Sequence, residues 1–436
     1  MPREEVNYFG SDMVFPDDEG KSERFPFENP DDEQLSFGDE FDDALPQGGA
    51  MPQYFTRGNV LRGAWVEIDT EAIRHNIRLA KKAIGPRKQF CAVVKADAYG
   101  HGAIPCAKLA IEEGADYLAV ATVEEGIELR QAGIKANILI LSQPPQRAIP
   151  YIIMHRLTPA VCTTDFALAY AETADKMNKP APFHLAVDTG MNRIGVKYDE
   201  VVEFIQSIAF HRALKYEGTF THFATADESS DWDFRIQLKR FNEMLDSLKQ
   251  AGIKPGIVHA ANSASIFRYP EAHFDMVRLG VTMYGMFPSA VMRGSIDLWP
   301  AMSVKAQVSF VKEPALGEGV SYGMNYRVAK KVQIATVPIG YADGLRRILS
   351  GRFKVLCNGC VCLQVGNICM DQMMIEVPVG HTLRGKSRKV EPGDEVVIIG
   401  KQDDLEIGVD TMAEMLGTIN YEVTCLFGIR LPKIYV

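Results

Sequence analysis

Residues 90–102 read FCAVVKADAYGHG. A Val-rich apolar run ends on a lysine, Lys95, and passes at once into small residues and two glycines, Gly100 and Gly102. Continuous apolarity without alternation suits a strand covered on both faces, as in a parallel sheet, and the glycines mark the loop at its C-terminal end. Working outward, the same kind of unit recurs. Candidate strands are AWVEID from Ala64, YLAV from Tyr117, ILILS from Ile138, PAVC from Pro159, FHLAVD from Phe183, YEGTFTHF from Tyr216, GIVHAAN from Gly256 and MVRLG from Met276. Helical periods separate them, such as residues 70–85, opened by Thr70 as N-cap, and residues 122–133, opened by Thr122 and closed by Gly133. Repeated strand–helix units of this number predict an α/β fold with a closed (β/α)₈ TIM barrel over residues 53–297, whose active site collects at the C-terminal ends of the strands.

The texture changes after residue 298. VKAQVSFVKEP (304–314), KKVQIATVPIGYADG (330–344), a long run over 353–377 and DEVVIIG (394–400) read as strands joined by turns, with Asn358-Gly359 a type I′ hairpin signal. A mostly β C-terminal domain over 298–436 is expected, with one helical stretch, GVDTMAEMLGTINYEV, near its end. Residues 1–52 differ from both parts. They carry acidic runs without apolar periodicity and read as a disordered extension, with Phe9, Phe15, Phe25, Phe27 and Phe37 as candidate docking side chains.

The formal charge is −9, and residues 1–50, with three basic and fifteen acidic side chains, hold −12 of it. The remaining 386 residues sum to about +3, too little for the broad basic field that nucleic acid requires. No membrane-length apolar run and no signal-peptide pattern is visible, so a cytoplasmic location is expected. Eight cysteines in 436 residues do not make a disulfide framework. Cys357, Cys360, Cys362 and Cys369 lack a neighbouring histidine and read as strand thiols rather than a zinc site.

A lysine at a barrel mouth is a candidate Schiff-base residue, because desolvation favours the neutral amine that attacks an aldehyde. The string VVKADAYGHG resembles the cofactor signature of the alanine racemase family, and the likeness runs from about Trp65 to Val436. The resemblance implies pyridoxal phosphate (PLP) held by Lys95, a homodimer with shared active sites, and interconversion of L- and D-alanine, supplying D-alanine for peptidoglycan. It further implies phosphate contacts from Tyr99, Ser263 in HAANSAS beside Asn262, Gly280 and Val281 in RLGVTMYG, and Tyr421 in INYEV. Arg278 would stand beside the pyridine nitrogen and keep it unprotonated, since a guanidinium disfavours a second positive charge nearby.

Racemisation removes a proton from one face and delivers one to the other, so two bases are needed. Lys95 is one; Tyr322 in GVSYGMNY, from the partner subunit, is implied as the other, assisted by His222 in THFATADE through Arg278. Substrate contacts are implied for Arg193 in DTGMNRIG and for Met370 and Asp371 in ICMDQ, with Tyr341 narrowing the entrance. One position departs from the family. Members often carry a lysine two residues before the aspartate of DTGM, frequently carbamylated, and here that position is Ala186. An anion, water or another side chain must then hold Arg193, or its orientation differs, which keeps a racemase of serine or another amino acid as an alternative. A PLP-dependent decarboxylase of the same architecture uses a cysteine donor in a different motif and lacks the Tyr322 string, and a non-catalytic PLP carrier lacks the β domain.

Overall fold

The computed structural model describes residues 60–378 and 389–436. The aromatic residues of the acidic extension lie outside the described residues. Eight parallel strands form a closed barrel: Gln89–Val93, Tyr117–Val120, Asn137–Ile140, Thr158–Val161, Ala181–Asp188, Leu214–Phe220, Ile257–His259 and Met276–Leu279. Closure comes from the first and last, which pair in register with Arg278 opposite Cys91. Three of these strands, beginning at Tyr117, Thr158 and Met276, are buried along their whole length. This matches their unbroken apolar sequences, because helices cover the outer face of a barrel strand and neighbouring side chains fill the inner one.

The strand Ala64–Ile68 does not join the barrel as its place in the β–α rhythm predicted. It lies antiparallel to Met302–Gln307, with Val66 opposite Val304, and parallel to Lys433–Tyr435. All five of its residues are buried, so its apolar run is consistent with either sheet, and only long-range pairing decides between them. It thereby becomes part of a ten-stranded sheet otherwise built from residues after 301. The chain crosses back into the barrel through the helix Thr70–Ile84. The cap of that helix is Asp69 rather than Thr70: its carboxylate accepts from the Ala72 N–H at 2.9 Å. Thr122 does cap the helix Val123–Gln131, in a reciprocal box with Glu125.

In the second sheet, Asn358 and Gly359 both have positive φ, 51° and 71°, and bring Cys357 opposite Cys360. This is the two-residue turn that Asn-Gly favours. The expected single C-terminal helix is two, Val409–Leu416 and Asn420–Leu426, separated where Gly417 turns left-handed. The break lets the second helix carry Tyr421 to the barrel mouth. Among the described residues no helix is long and apolar enough to cross a membrane.

Candidate active site

Lys95 stands two residues past the end of the first barrel strand, after Val94. The next four residues, Ala96 to Tyr99, all have φ between 52° and 55°, a turn of left-handed helix without a glycine. L-residues pay about 1–2 kcal/mol each for this conformation, so the surroundings must impose it. Glu125 accepts from Ala96 N at 2.7 Å, the Asp97 carboxylate accepts from Ala103 N at 2.7 Å, and Lys433 pairs with that carboxylate at 2.8 Å. Gly100 closes the turn at φ 84°, where a Cβ would lie 2.2 Å from the Thr424 carbonyl oxygen. The turn leaves Lys95 and Tyr99 facing one cavity.

That cavity, of about 430 Å³, brings together nine of the residues singled out from sequence: Lys95, Tyr99, His222, Asn262, Ser263, Arg278, Gly280, Val281 and Tyr421. At one end Ser263 Oγ accepts from Gly280 N at 3.0 Å, and the Tyr99 and Tyr421 rings stand 6.1 Å apart. Burial pushes both phenols well above their usual range, so they stay protonated and can donate. A Cβ at Gly280 would come within 3.1 Å of Tyr99 Oη, which is why the backbone there can approach a ligand. Asn262 is committed to structure: its Oδ1 accepts from Ser265 N and caps the short helix Ser263–Arg268.

At the other end lies Arg278, fully enclosed and with no carboxylate in ion-pair distance among the described residues. Its Nη1 donates to His259 Nδ1 and the His259 carbonyl at 2.9 and 3.0 Å. Its Nη2 donates to the Thr221 and Ala260 carbonyls at 2.8 and 3.0 Å and reaches His222 Nδ1 at 3.2 Å. Only the Nε donor of the fork has no protein acceptor among the described residues. Burial lowers its pKa to about 10, which leaves it a cation at neutral pH. Burial and then Arg278 hold His222 at about 3, so it is neutral. Lys95 is lowered by burial first and by Arg193 next, against Glu125.

A second, smaller cavity of about 250 Å³ shares Lys95, His222 and Arg278 and adds Arg193 and Ala186. Ala186 packs among Ala160, Phe220 and Cys162. Among the described residues no side chain hydrogen-bonds or ion-pairs with Arg193 within the chain. Tyr322, Tyr341, Met370 and Asp371 are elsewhere, together in a cavity of about 660 Å³ in the β part. Tyr322 is 74% exposed and does not face Lys95 within its own chain. The His222–Arg278 half of the expected relay is therefore made, and its contact with Tyr322 is not made within one chain.

Several site residues had no sequence signal. Asp343, with its side chain fully buried, is bracketed by Arg62 and Arg430, and the same two arginines bond Asp371. His259 and His184 lie under Arg278, and Glu125 and Lys433 brace the turn after Lys95. Each is joined to its partner from a distant segment, which no local pattern records.

The donor set fits PLP. Hydroxyl and backbone donors gather at one end, a lone N–H suited to a ring nitrogen stands at the other, and a lysine with a depressed pKa lies between. A family model described as alanine racemase, N-terminal domain, matches residues 68–288, and one described as alanine racemase, C-terminal domain, matches 301–435. The chain belongs to the alanine racemase family. Its relatives include the alanine racemase of Carboxydothermus hydrogenoformans, 44% identical over 86% of this chain and 100% of that protein. That of Desulfovibrio desulfuricans is 42% identical over 86% and 98%. Among solved structures, the alanine racemase of Clostridium difficile superposes with TM-score 0.81 at 40% identity, covering 86% of this chain and 96% of that one. The alanine racemase of Bacillus anthracis with bound L-Ala-P gives 0.80 at 39%, covering 86% and 95%. Alanine racemases are PLP-dependent isomerases with this barrel and β domain. Both halves match, which sets aside the decarboxylase and carrier readings.

Proposed function

We propose that this protein is an alanine racemase that interconverts L- and D-alanine with PLP, and that its active site is completed by a second copy of the chain. The observation that carries the reading is the arrangement of one cavity: Lys95 between the Ser263–Gly280–Tyr99 cradle and the unengaged Nε of Arg278. PLP, when bound, acidifies the substrate's Cα–H by drawing electrons from it. The Lys95 amine, whose pKa burial lowers, would hold the cofactor and move the proton on its own face at Nζ. Ser263 Oγ, the Tyr99 and Tyr421 hydroxyls and the Gly280 and Val281 backbone would hold the phosphate. Arg278, a fixed cation, would face the ring nitrogen and disfavour its protonation, which would limit side reactions.

The opposite face needs a second base, and Lys95's cavity contains no Tyr322. A homodimer supplies it: Tyr322 of the partner subunit projects into this cavity with His222 and Arg278 behind it. Arg193 with Met370 and Asp371 from that copy contact the substrate, and Tyr341 narrows the approach. Residues 53–297 and 298–436 form the two working parts, with the acidic extension outside them. The setting is the cytoplasm, where D-alanine feeds peptidoglycan. A serine or larger-substrate racemase is the second reading, favoured by the small Ala186 and the unheld Arg193.

The test is racemisation of a panel of L- and D-amino acids by the PLP-loaded protein, with Lys95→Ala and Tyr322→Phe as controls. Alanine is expected to dominate, and both variants to fail. Mixing the two inactive variants should restore about a quarter of the activity if sites are shared between subunits. Serine dominating would replace the substrate assignment, and wild-type activity in Tyr322→Phe would remove the phenol's role.

A further inference from the structure

Beneath Arg278 a row of imidazoles runs into the barrel. Arg278 Nη1 meets His259 Nδ1 at 2.9 Å, and His259 Nε2 meets His184 Nδ1 at 2.8 Å. Arg278 comes from the last barrel strand, His259 from Ile257–His259 and His184 from Ala181–Asp188, and both imidazoles are completely buried. A guanidinium has donors and no lone pair, so His259 Nδ1 must accept. A neutral imidazole carries one proton, which therefore sits on His259 Nε2 and is donated to His184 Nδ1. His184 in turn carries its proton on Nε2, which has no hydrogen-bond partner among the described residues.

We propose that Arg278 orders the protons of His259 and His184, and that His184, which touches neither substrate nor cofactor, is a positioning residue that holds Arg278 through His259. The consequence for catalysis rests on the function proposed above; the proton order does not. Among the described residues Arg278 has no carboxylate partner, so its orientation depends on carbonyls and on two imidazole lone pairs, those of His222 and His259. Rotating the His259 ring, or moving its proton to Nδ1, would set a hydrogen against the guanidinium. His184 disfavours both, because its Nδ1 lone pair requires a donor from His259. Packing leaves the pair little freedom: His259 stacks on Phe220 at 5.1 Å, and a Cβ at Gly218 would come within 2.6 Å of the His184 ring. Burial and the nearby Arg278 keep both rings neutral, His184 at about 4.

A buried N–H without an acceptor costs folding free energy. A histidine kept only for packing would lose nothing if an apolar residue replaced it, whereas the acceptor at Nδ1 has a defined use here.

The order can be read directly by long-range ¹H–¹⁵N spectra of imidazoles in the ¹⁵N-labelled holoenzyme, assigned with His184→Gln and His259→Asn. Both rings are expected protonated at Nε2 and bare at Nδ1, unchanged from about pH 6 to about pH 9. A proton on Nδ1 of either ring, or titration in that range, overturns the order. In kinetics, His184→Leu should lower kcat roughly tenfold at nearly constant KM, and His184→Gln, whose carbonyl can accept, should recover most of it. Wild-type kcat in a folded His184→Leu overturns the positioning role. Should that variant fail to fold, the spectra and His184→Gln decide: a folded Gln variant with kcat about tenfold below wild type, or a changed His259 tautomer in it, counts against the proposal. A wild-type protein that racemises nothing overturns the proposed function, while the spectra still judge the proton order.

Discussion

Lys433 Nζ lies 2.8 Å from Asp97 Oδ2, tying the last strand of the chain to the left-handed turn behind Lys95. The pair joins residues 336 positions apart, and Tyr435, two residues on, donates to the His101 carbonyl at the far side of the same turn. The carboxyl-terminal strand is thus a brace for the turn that follows Lys95. Because the Asp97 side chain is half exposed, the pair contributes only about 0.5–1 kcal/mol. Lys433→Met should raise the PLP dissociation constant about two- to fivefold, and Lys433→Arg should restore it. Spectrophotometric titration of the apoenzyme checks this, and unchanged affinity in a folded Met variant would deny the brace a role.

Gly280 offers a steric test of the phosphate cradle. Alanine there would place a methyl 3.1 Å from Tyr99 Oη and 3.6 Å from Ser263 Oγ. Gly280→Ala should weaken PLP binding about tenfold or more, ~1.4 kcal/mol, while the apoenzyme unfolds at an almost unchanged urea concentration. Equal PLP affinity would place the phosphate elsewhere.

The Asp343 carboxylate holds Arg62 and Arg430 and accepts from Gly340 N, beside Tyr341. Removing its charge leaves two arginines facing a neutral group. The arginines are partly exposed, which reduces the loss, so Asp343→Asn should cost about 2 kcal/mol in urea unfolding. The loops carrying Tyr341 and Asp371 share these contacts, so KM should rise more than kcat falls. A variant with unaltered stability would show that the bracket contributes nothing.

Acid should destabilise the protein through buried histidines. Desolvation, the leading cause for each, holds His101 and His184 at about 4, below the ordinary 6.5. Between those values the unfolded chain binds protons that the folded one refuses, so the stabilisation is complete above pH 6.5 and is lost as pH falls toward 4. From about pH 7.5 to about pH 5 each should cost about 2 kcal/mol. Urea unfolding of the apoenzyme at the two pH values measures it, and a flat profile would contradict the burial argument.

The sequence by itself determined the barrel and the β part, and its resemblance to a known family named the nine residues that folding gathers in one cavity. Parallel strands need continuous apolar runs, turns need their own residues, and VVKADAYGHG joins both around Lys95. Asn358-Gly359 was legible for the same reason, since the turn type is local. The tertiary structure alone decided which sheet takes Ala64–Ile68, because a strand buried on both faces satisfies either. It also decided that Asp69 rather than its neighbour Thr70 caps the first helix, a choice that turns on how the chain leaves that sheet. The Lys433–Asp97 brace, the Asp343 bracket and the His259–His184 row were invisible in sequence, because their partners are brought together only by chain closure. The separation of Tyr322 from Lys95 is likewise a fact of folding: sequence order names both residues, and only three-dimensional placement shows that one chain does not bring them face to face.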